Sequence, residues 1–168
     1  PVVKLRGPLA IIGLSSAVPR PPLMASGQLG SAQIEALAKI LAHDEVKRRT
    51  PIIALHHPIH NPPTWAKMVV EGLWDANGLS DVLDVTDGGM LLHGHLHTRA
   101  HRTSKTSTGR LDIIGATSAS LQHEDPQRNA GFNVYRFAPN GFLASVEAHI
   151  LDGEGTAFRV NEIPRTPV

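Results

Sequence analysis

The chain has 168 residues, of which 41% are hydrophobic, and this is enough to bury the core of one domain. Its 16 basic and 15 acidic residues nearly cancel, so no strong overall field would attract a nucleic-acid polymer or an anionic membrane. The absence of cysteine excludes disulfides, iron–sulfur clusters, thiolate zinc sites and cysteine nucleophiles. Any metal must therefore be held by nitrogen and oxygen ligands.

The first apolar segment, residues 9–14, follows two basic residues and has to be distinguished from a signal peptide. The segment is short and Gly7-Pro8 interrupts it, so we predict a strand. No other stretch approaches the roughly 18 apolar residues that a membrane helix needs. A chain without cysteine is compatible with a reducing compartment, and we expect a cytoplasmic protein.

The predicted elements alternate between strands and helices over the first half of the chain. In order they are a strand at 9–14, a Pro/Gly-rich loop, a helix capped by Ser31, a strand at 52–55, helices at 64–74 and 79–85, and a strand at 90–92. Such alternation predicts an α/β fold with a largely parallel sheet and crossover helices.

The pattern changes from Leu111 onward to closely spaced strands. Asn140-Gly141 predicts a hairpin between strands at 133–137 and 142–150, and Asp152-Gly153 predicts a second turn. We therefore expect an antiparallel C-terminal region. No linker or internal repeat interrupts the chain, so we predict a single domain over residues 1–168.

Histidines follow two of the predicted strands. Seven of the ten histidines lie at positions 56, 57, 60, 93, 95, 97 and 101. Because the carboxyl ends of parallel strands share one edge of a sheet, where ligands usually bind, we expect the two clusters to meet. Neutral imidazole suits zinc, manganese and iron, and His95 and His97, at i and i+2 of an extended segment, would reach one cavity, with Gly94 allowing close approach of the backbone.

A strand ending in His56-His57-Pro58 and a later strand ending in Gly94-His95-Leu96-His97 resemble the C-terminal signature of the calcineurin-like metallophosphoesterases, which include the class III cyclic-nucleotide phosphodiesterases. The flanking Gly-Leu-Ser-Ser strand end, the loop through Gly27-Gln28-Leu29 and the segment from Ile114 to Ser120 are similar too, so the resemblance covers most of the chain. It implies an α/β fold that is the C-terminal half of an αββα two-sheet sandwich, with a mixed sheet and an antiparallel C-terminal hairpin region.

The resemblance also implies a site and a reaction. His56 and His95 would ligate one metal and His97 its neighbour, in a centre of two divalent or mixed-valence ions of manganese, iron or zinc. Such a hydrolase cleaves a phosphomonoester or phosphodiester substrate by in-line attack of a water or hydroxide held between the two metals. His57 and His60 would contact the substrate or orient the ligands; the alternative is that they are solvated or backbone-bonded loop residues.

For His93 and for the two tryptophans the sequence favours a structural role. His93 ends an apolar strand, which favours a buried structural histidine over a metal ligand. Trp65 and Trp74 would wall a pocket only if they lay outside the core, and their helical spacing favours the core.

The chain lacks the other ligand motifs of the family. Neither Asp-x-His, Gly-Asp-x-x-Asp nor Gly-Asn-His-Asp/Glu occurs. Two dications about 3.5 Å apart repel by roughly 20 kcal/mol at an effective dielectric constant of about 20, so three neutral imidazoles alone would not hold the pair. We expect an N-terminal half or another chain to complete the site. Without it, apolar sheet surface and strand edges would be left uncovered.

Three functions remain open at this point. The first is a phosphoesterase completed by the missing ligands and inactive without them. The second is a catalytically silent fragment that binds a metal or a protein partner, and the third is a histidine-rich metal buffer. A mononuclear site of His56, His95 and His97 on the pattern of three-histidine zinc enzymes is conceivable, although the family directs these residues to two metals.

Overall fold

The computed structural model describes residues 1–60, 62, 64–163 and 165–167. In this part of the chain the fold is α/β, with a mixed seven-stranded sheet, a small antiparallel sheet of three strands and four helices. None of these four helices combines the length and the apolar character needed to cross a membrane.

The elements alternate as the sequence pattern predicts. In chain order they are β1 (Val2–Arg6), β2 (Leu9–Gly13), α1 (Ser31–Ala42), α2 (Asp44–Lys47), β3 (Thr50–Ala54), α3 (Trp65–Glu71), α4 (Ala76–Asp84), β4 (Gly88–His93), β5 (Ala100–Lys105), β6 (Arg110–Gly115), β7 (Gly131–Phe137), β8 (Leu143–Leu151), β9 (Phe158–Glu162) and β10 (Arg165–Pro167).

The large sheet has the strand order β1-β2-β3-β4-β6-β5-β10. Its centre is parallel, because β2, β3, β4 and β6 all run in one direction. Toward the two edges β1 is antiparallel to β2 and β5 is antiparallel to β6, and the edge strand β10 runs parallel to β5. The prediction of a largely parallel sheet with crossover helices is confirmed for its core.

Two apolar clusters cover the two faces of this sheet. On one face Ile12, Ile53 and Leu91 pack against the helix residues Leu37 and Leu79, all of them fully buried. On the other face Ile52, Met90 and Ile114 pack against Val146 and Tyr135 of the small sheet. Each fully buried aliphatic side chain contributes about 1.5–3 kcal/mol relative to an exposed one, so both faces hold the layers together.

Both C-terminal turn predictions are confirmed. The strands β7 and β8 pair around Asn140-Gly141, and β8 and β9 pair around the turn that contains Asp152-Gly153. Gly141 has a φ of 87°, and a Cβ there would come within 2.7 Å of Thr50 Oγ1, so this turn also packs closely against the start of β3.

Some apolar surface remains uncovered, as expected. The free edge strand β1 leaves Val2 75% exposed. On the outer face of the small sheet Phe132, Phe158 and Val160 are each about half exposed, at 47%, 50% and 54%. Large exposed apolar patches are uncommon on monomeric proteins and are typical of interaction surfaces.

Candidate metal centre

The two histidine clusters meet at the carboxyl ends of the adjacent parallel strands β3 and β4. The strand pairing continues past the strands, because Leu55 N donates to Leu92 O at 3.0 Å and Gly94 N donates to His56 O at 3.0 Å. The backbone of the first cluster is therefore fixed against that of the second. The prediction that the clusters share one edge of the sheet is confirmed.

His56 and His95 form the centre of this site. His56 Nε2 lies 3.2 Å from His95 Nδ1, and the two rings stand nearly perpendicular, with an interplanar angle of 81°. Two imidazole nitrogens bound to one tetrahedral metal ion, each at about 2.05 Å, are about 3.3 Å apart. The pair fits a shared ion; without one, the same distance is a hydrogen bond between a protonated and an unprotonated ring nitrogen.

The surroundings of His56 and His95 lower the pKa of both rings and so favour the neutral form. Burial lowers the pKa of His56, and the nearby His57 and His97 lower it further. Burial also lowers the pKa of His95, followed by His57 and His56, while the backbone carbonyl and the carboxylate of Glu71 oppose that shift. Neutral imidazole is the form that ligates metals, so the direction of both shifts suits the predicted role of His56 and His95.

His95 and His97 do not lie on an extended segment, and this part of the sequence analysis is wrong. Leu96 N donates to Gly94 O at 2.7 Å, which closes a γ-turn centred on His95, with a φ of 63°. His97 has a φ of 50°. This left-handed backbone is unfavourable for residues other than glycine, and such strain is concentrated at functional sites.

The geometry around the turn revises two further expectations. A Cβ at Gly94 would lie 3.6 Å from His56 Nδ1, an ordinary contact, so close backbone approach does not require glycine there. His97 is exposed. Its influence on the pKa of His56 indicates that it lies near the pair, but its assignment to a second metal stays a prediction.

His57 is placed behind the site rather than open to a substrate. It is 4% exposed, its Nε2–H donates to Ala25 O at 2.7 Å, and its Nδ1 accepts from Ser16 Oγ at 2.8 Å. A Cβ at Gly27 would lie 2.3 Å from Nδ1, so the loop packs directly on the ring. This burial and these hydrogen bonds favour the backbone-bonded alternative for His57, and its contact with a substrate stays a prediction. The ring lies 4.5 Å from that of His95, centroid to centroid, and supports it.

His60 and His93 lie beside the central pair. His60 is half-buried, and its Nε2 has no hydrogen-bond partner among the described residues, so it stays a candidate for substrate contact. Burial lowers its pKa, and the charge of Arg102 lowers it further. His93 is half-buried and its Nδ1–H donates to Gly94 O at 3.1 Å, in agreement with a structural role. Burial lowers its pKa as well.

The structure adds residues that the sequence analysis missed. Ser16 anchors His57 from the end of β2, and the sequence signal for it was the Gly-Leu-Ser-Ser strand end. Glu71 ends α3 close to His95, and nothing in the sequence singled it out.

Trp65 is 77% exposed, so its assignment to the core is wrong. Trp74 is 44% exposed, and the guanidinium of Arg20 lies 3.5 Å from its ring centroid.

The described residues do not provide three converging metal ligands. Among the described residues no three His, Cys, Asp or Glu side chains converge closely enough to hold a metal ion. A metal ion shared by His56 and His95 would therefore need further donors. In comparisons with known proteins, no family model and no curated protein matches this chain.

Proposed function

We propose that this chain supplies the histidine half of a two-metal phosphoesterase site of the calcineurin-like type. The observation that carries the proposal is the 3.2 Å separation of His56 Nε2 and His95 Nδ1 at the carboxyl ends of adjacent parallel strands. That separation suits two ligands of one ion, and the position is the usual ligand edge of an α/β sheet.

In this proposal His56 and His95 hold one metal ion and His97 holds its neighbour. Bound divalent ions of manganese, iron or zinc act as Lewis acids toward phosphoryl oxygens and supply hydroxide at neutral pH. Residues of the chain orient the rings of the predicted metal ligands. Ser16 and Ala25 fix the ring of His57, and His57 in turn restrains the ring of His95.

Carboxylate ligands are supplied from outside the 168 residues, by an N-terminal half or by another chain. The uncovered outer face of the small sheet, with Phe132, Phe158 and Val160, supports this part of the proposal, because an αββα sandwich requires a helix layer there. The described chain then corresponds to the C-terminal half of that sandwich, and alone it is inactive.

Hydrolysis of two chromogenic esters tests the proposal. Two polypeptides are compared: the one that the gene encodes, and the 168-residue chain. Each is loaded with Mn²⁺ and assayed on bis(p-nitrophenyl) phosphate and on p-nitrophenyl phosphate. We expect hydrolysis by a polypeptide that contains the missing carboxylate motifs, a loss of at least 100-fold in its His95→Ala variant, and none by the 168 residues. A polypeptide with those motifs that binds two metals and hydrolyses neither ester contradicts the proposal.

A second candidate function is a catalytically silent fragment that binds a metal or a protein partner. The observation that favours it is the lack of three converging ligands in the described part of the chain. The same assay distinguishes the two, because a silent fragment binds one ion and hydrolyses neither ester in every polypeptide tested.

A further inference from the structure

A large recess lies at the opposite end of the seven-stranded sheet from the histidines. Its volume is about 750 Å³, and its lining includes the first residues of three central strands, Thr50, Gly88 and Arg110. The histidines follow the last residues of β3 and β4, so the length of a strand, about 17 Å for five residues, separates the recess from the candidate metal centre.

The interior of the recess is apolar. Met90 and Val46, at 1% and 5% exposure, lie on the strand side and the helix side, and the half-buried Leu41, Val82 and Leu143 complete the walls. Exposed apolar residues stand at its mouth, with Val85 at 69% and Phe142 at 71% exposure. Ligand pockets combine such apolar walls with a few polar groups, within volumes of roughly 300–1,000 Å³.

The charged lining residues are mostly basic. The described lining contains four cationic side chains and two carboxylates: Lys47, Arg49, Arg110, Arg165, Asp87 and Asp112.

Two of these cations are already paired. Arg49 forms a salt bridge with Glu45 at 2.9 Å, and Arg165 lies 3.4 Å from Asp112. Asp112 also accepts a hydrogen bond from the buried His101 at 2.7 Å, so it is occupied within the chain. Asp87 is left as the one carboxylate of the described lining without such a partner.

The other two cations have no carboxylate partner among the described residues. Lys47 approaches from the end of α2, and Arg110 from the start of β6. Arg110 lies directly opposite Lys105 in the β5–β6 ladder. Like charges directly opposite each other destabilise a sheet, and a bound anion relieves that repulsion.

We propose that this recess binds a small organic anion, with its head group toward the unpaired cations Lys47 and Arg110 and its apolar body against the half-buried Leu41 and Val82. The apolar walls exclude a fully hydrated inorganic ion as the preferred ligand. The unpaired cations favour an anionic head group over a neutral or a cationic one. The site is independent of the proposed phosphoesterase centre, which it does not touch.

Calorimetric titration of the 168-residue chain with decanoate, and in parallel with decanol, tests this site. We expect saturable binding of decanoate and at least tenfold weaker binding of decanol. In the double variant Lys47→Gln/Arg110→Gln decanoate should bind at least tenfold more weakly, while decanol is unaffected. Both substituted positions are exposed, so the variant should fold normally.

Two controls separate this site from the histidines and from general hydrophobic binding. His95→Ala should leave decanoate binding unchanged. Val82→Trp, which places a bulky ring in the wall of the recess, should weaken it in a variant whose unfolding transition is intact. Equal affinity for decanoate and decanol, or unchanged decanoate affinity in the Lys47→Gln/Arg110→Gln variant, overturns the proposal, and so does the absence of saturable binding.

Discussion

Replacing Gly27 by alanine tests whether His57 is locked behind the metal centre. The added methyl carbon would lie 2.3 Å from Nδ1 and 2.7 Å from Cγ of the His57 ring, so the ring has to move. The ring is 4% exposed and holds hydrogen bonds to Ser16 Oγ and Ala25 O. Each buried hydrogen bond contributes about 1 kcal/mol, and overpacking costs about 1–3 kcal/mol. We therefore expect Gly27→Ala to lower the free energy of unfolding by about 2–4 kcal/mol.

Urea unfolding followed by tryptophan fluorescence measures this difference. With an m value of about 2 kcal/mol/M, the midpoint should fall by about 1–2 M. The matched control is Gly153→Ala, because nothing lies within 4 Å of a Cβ at Gly153 and its backbone is not left-handed. That variant should keep or slightly raise the midpoint. Equal midpoints for the two variants would refute the packing of the loop on His57.

Further predictions concern other parts of the fold. Burial lowers the pKa of His93 below its ordinary value of 6.5, so the free energy of unfolding should fall as the pH drops below 6.5, by at most about 1.4 kcal/mol per pH unit for this group. His93→Gln should reduce this loss of stability when unfolding is measured at pH 7.5 and at pH 5.5. An unchanged loss of stability in the variant would contradict the prediction. Asp112→Asn weakens the contacts to His101 and Arg165, so urea unfolding should show a loss of about 1–3 kcal/mol in the free energy of unfolding. The control Arg136→Gln removes an exposed ion pair and should cost about 0.5 kcal/mol or less. Equal losses in the two variants would contradict the buried network around Asp112. Phe158→Gln reduces the uncovered apolar face and should lower self-association in size-exclusion chromatography; an unchanged elution volume would show that this face does not drive association.

The core of the fold could be predicted because its strands carry their signal locally. The apolar segments at 9–14, 52–55 and 90–92 became β2, β3 and β4 within one or two residues. The outer strands carry no such signal. β5 is largely polar, and it is a strand because it pairs with β6 along its whole length. At the other edge, Gly7-Pro8 was interpreted as an interruption, whereas it is the turn between β1 and β2.

The candidate site, like the fold, could be predicted only in part from the sequence. The meeting of His56 and His95 follows from the rule that parallel strands end at one edge of a sheet. The role of His57 does not follow, because its partners Ser16 and Ala25 lie 41 and 32 residues away in the chain. The sequence analysis also missed the turn at His95. The i and i+2 spacing of His95 and His97 favours an extended segment, whereas the hydrogen bond from Leu96 N to Gly94 O closes a γ-turn there.

Zinc affinity of the 168-residue chain tests the central claim most directly, with the exposed loop residue His123 as a matched control. We predict one Zn²⁺ bound per chain, at least tenfold weaker binding after either His56→Ala or His95→Ala, and unchanged binding after His123→Ala. Equal effects of all three substitutions would contradict a defined centre at His56 and His95 and would instead indicate weak binding shared among many histidines.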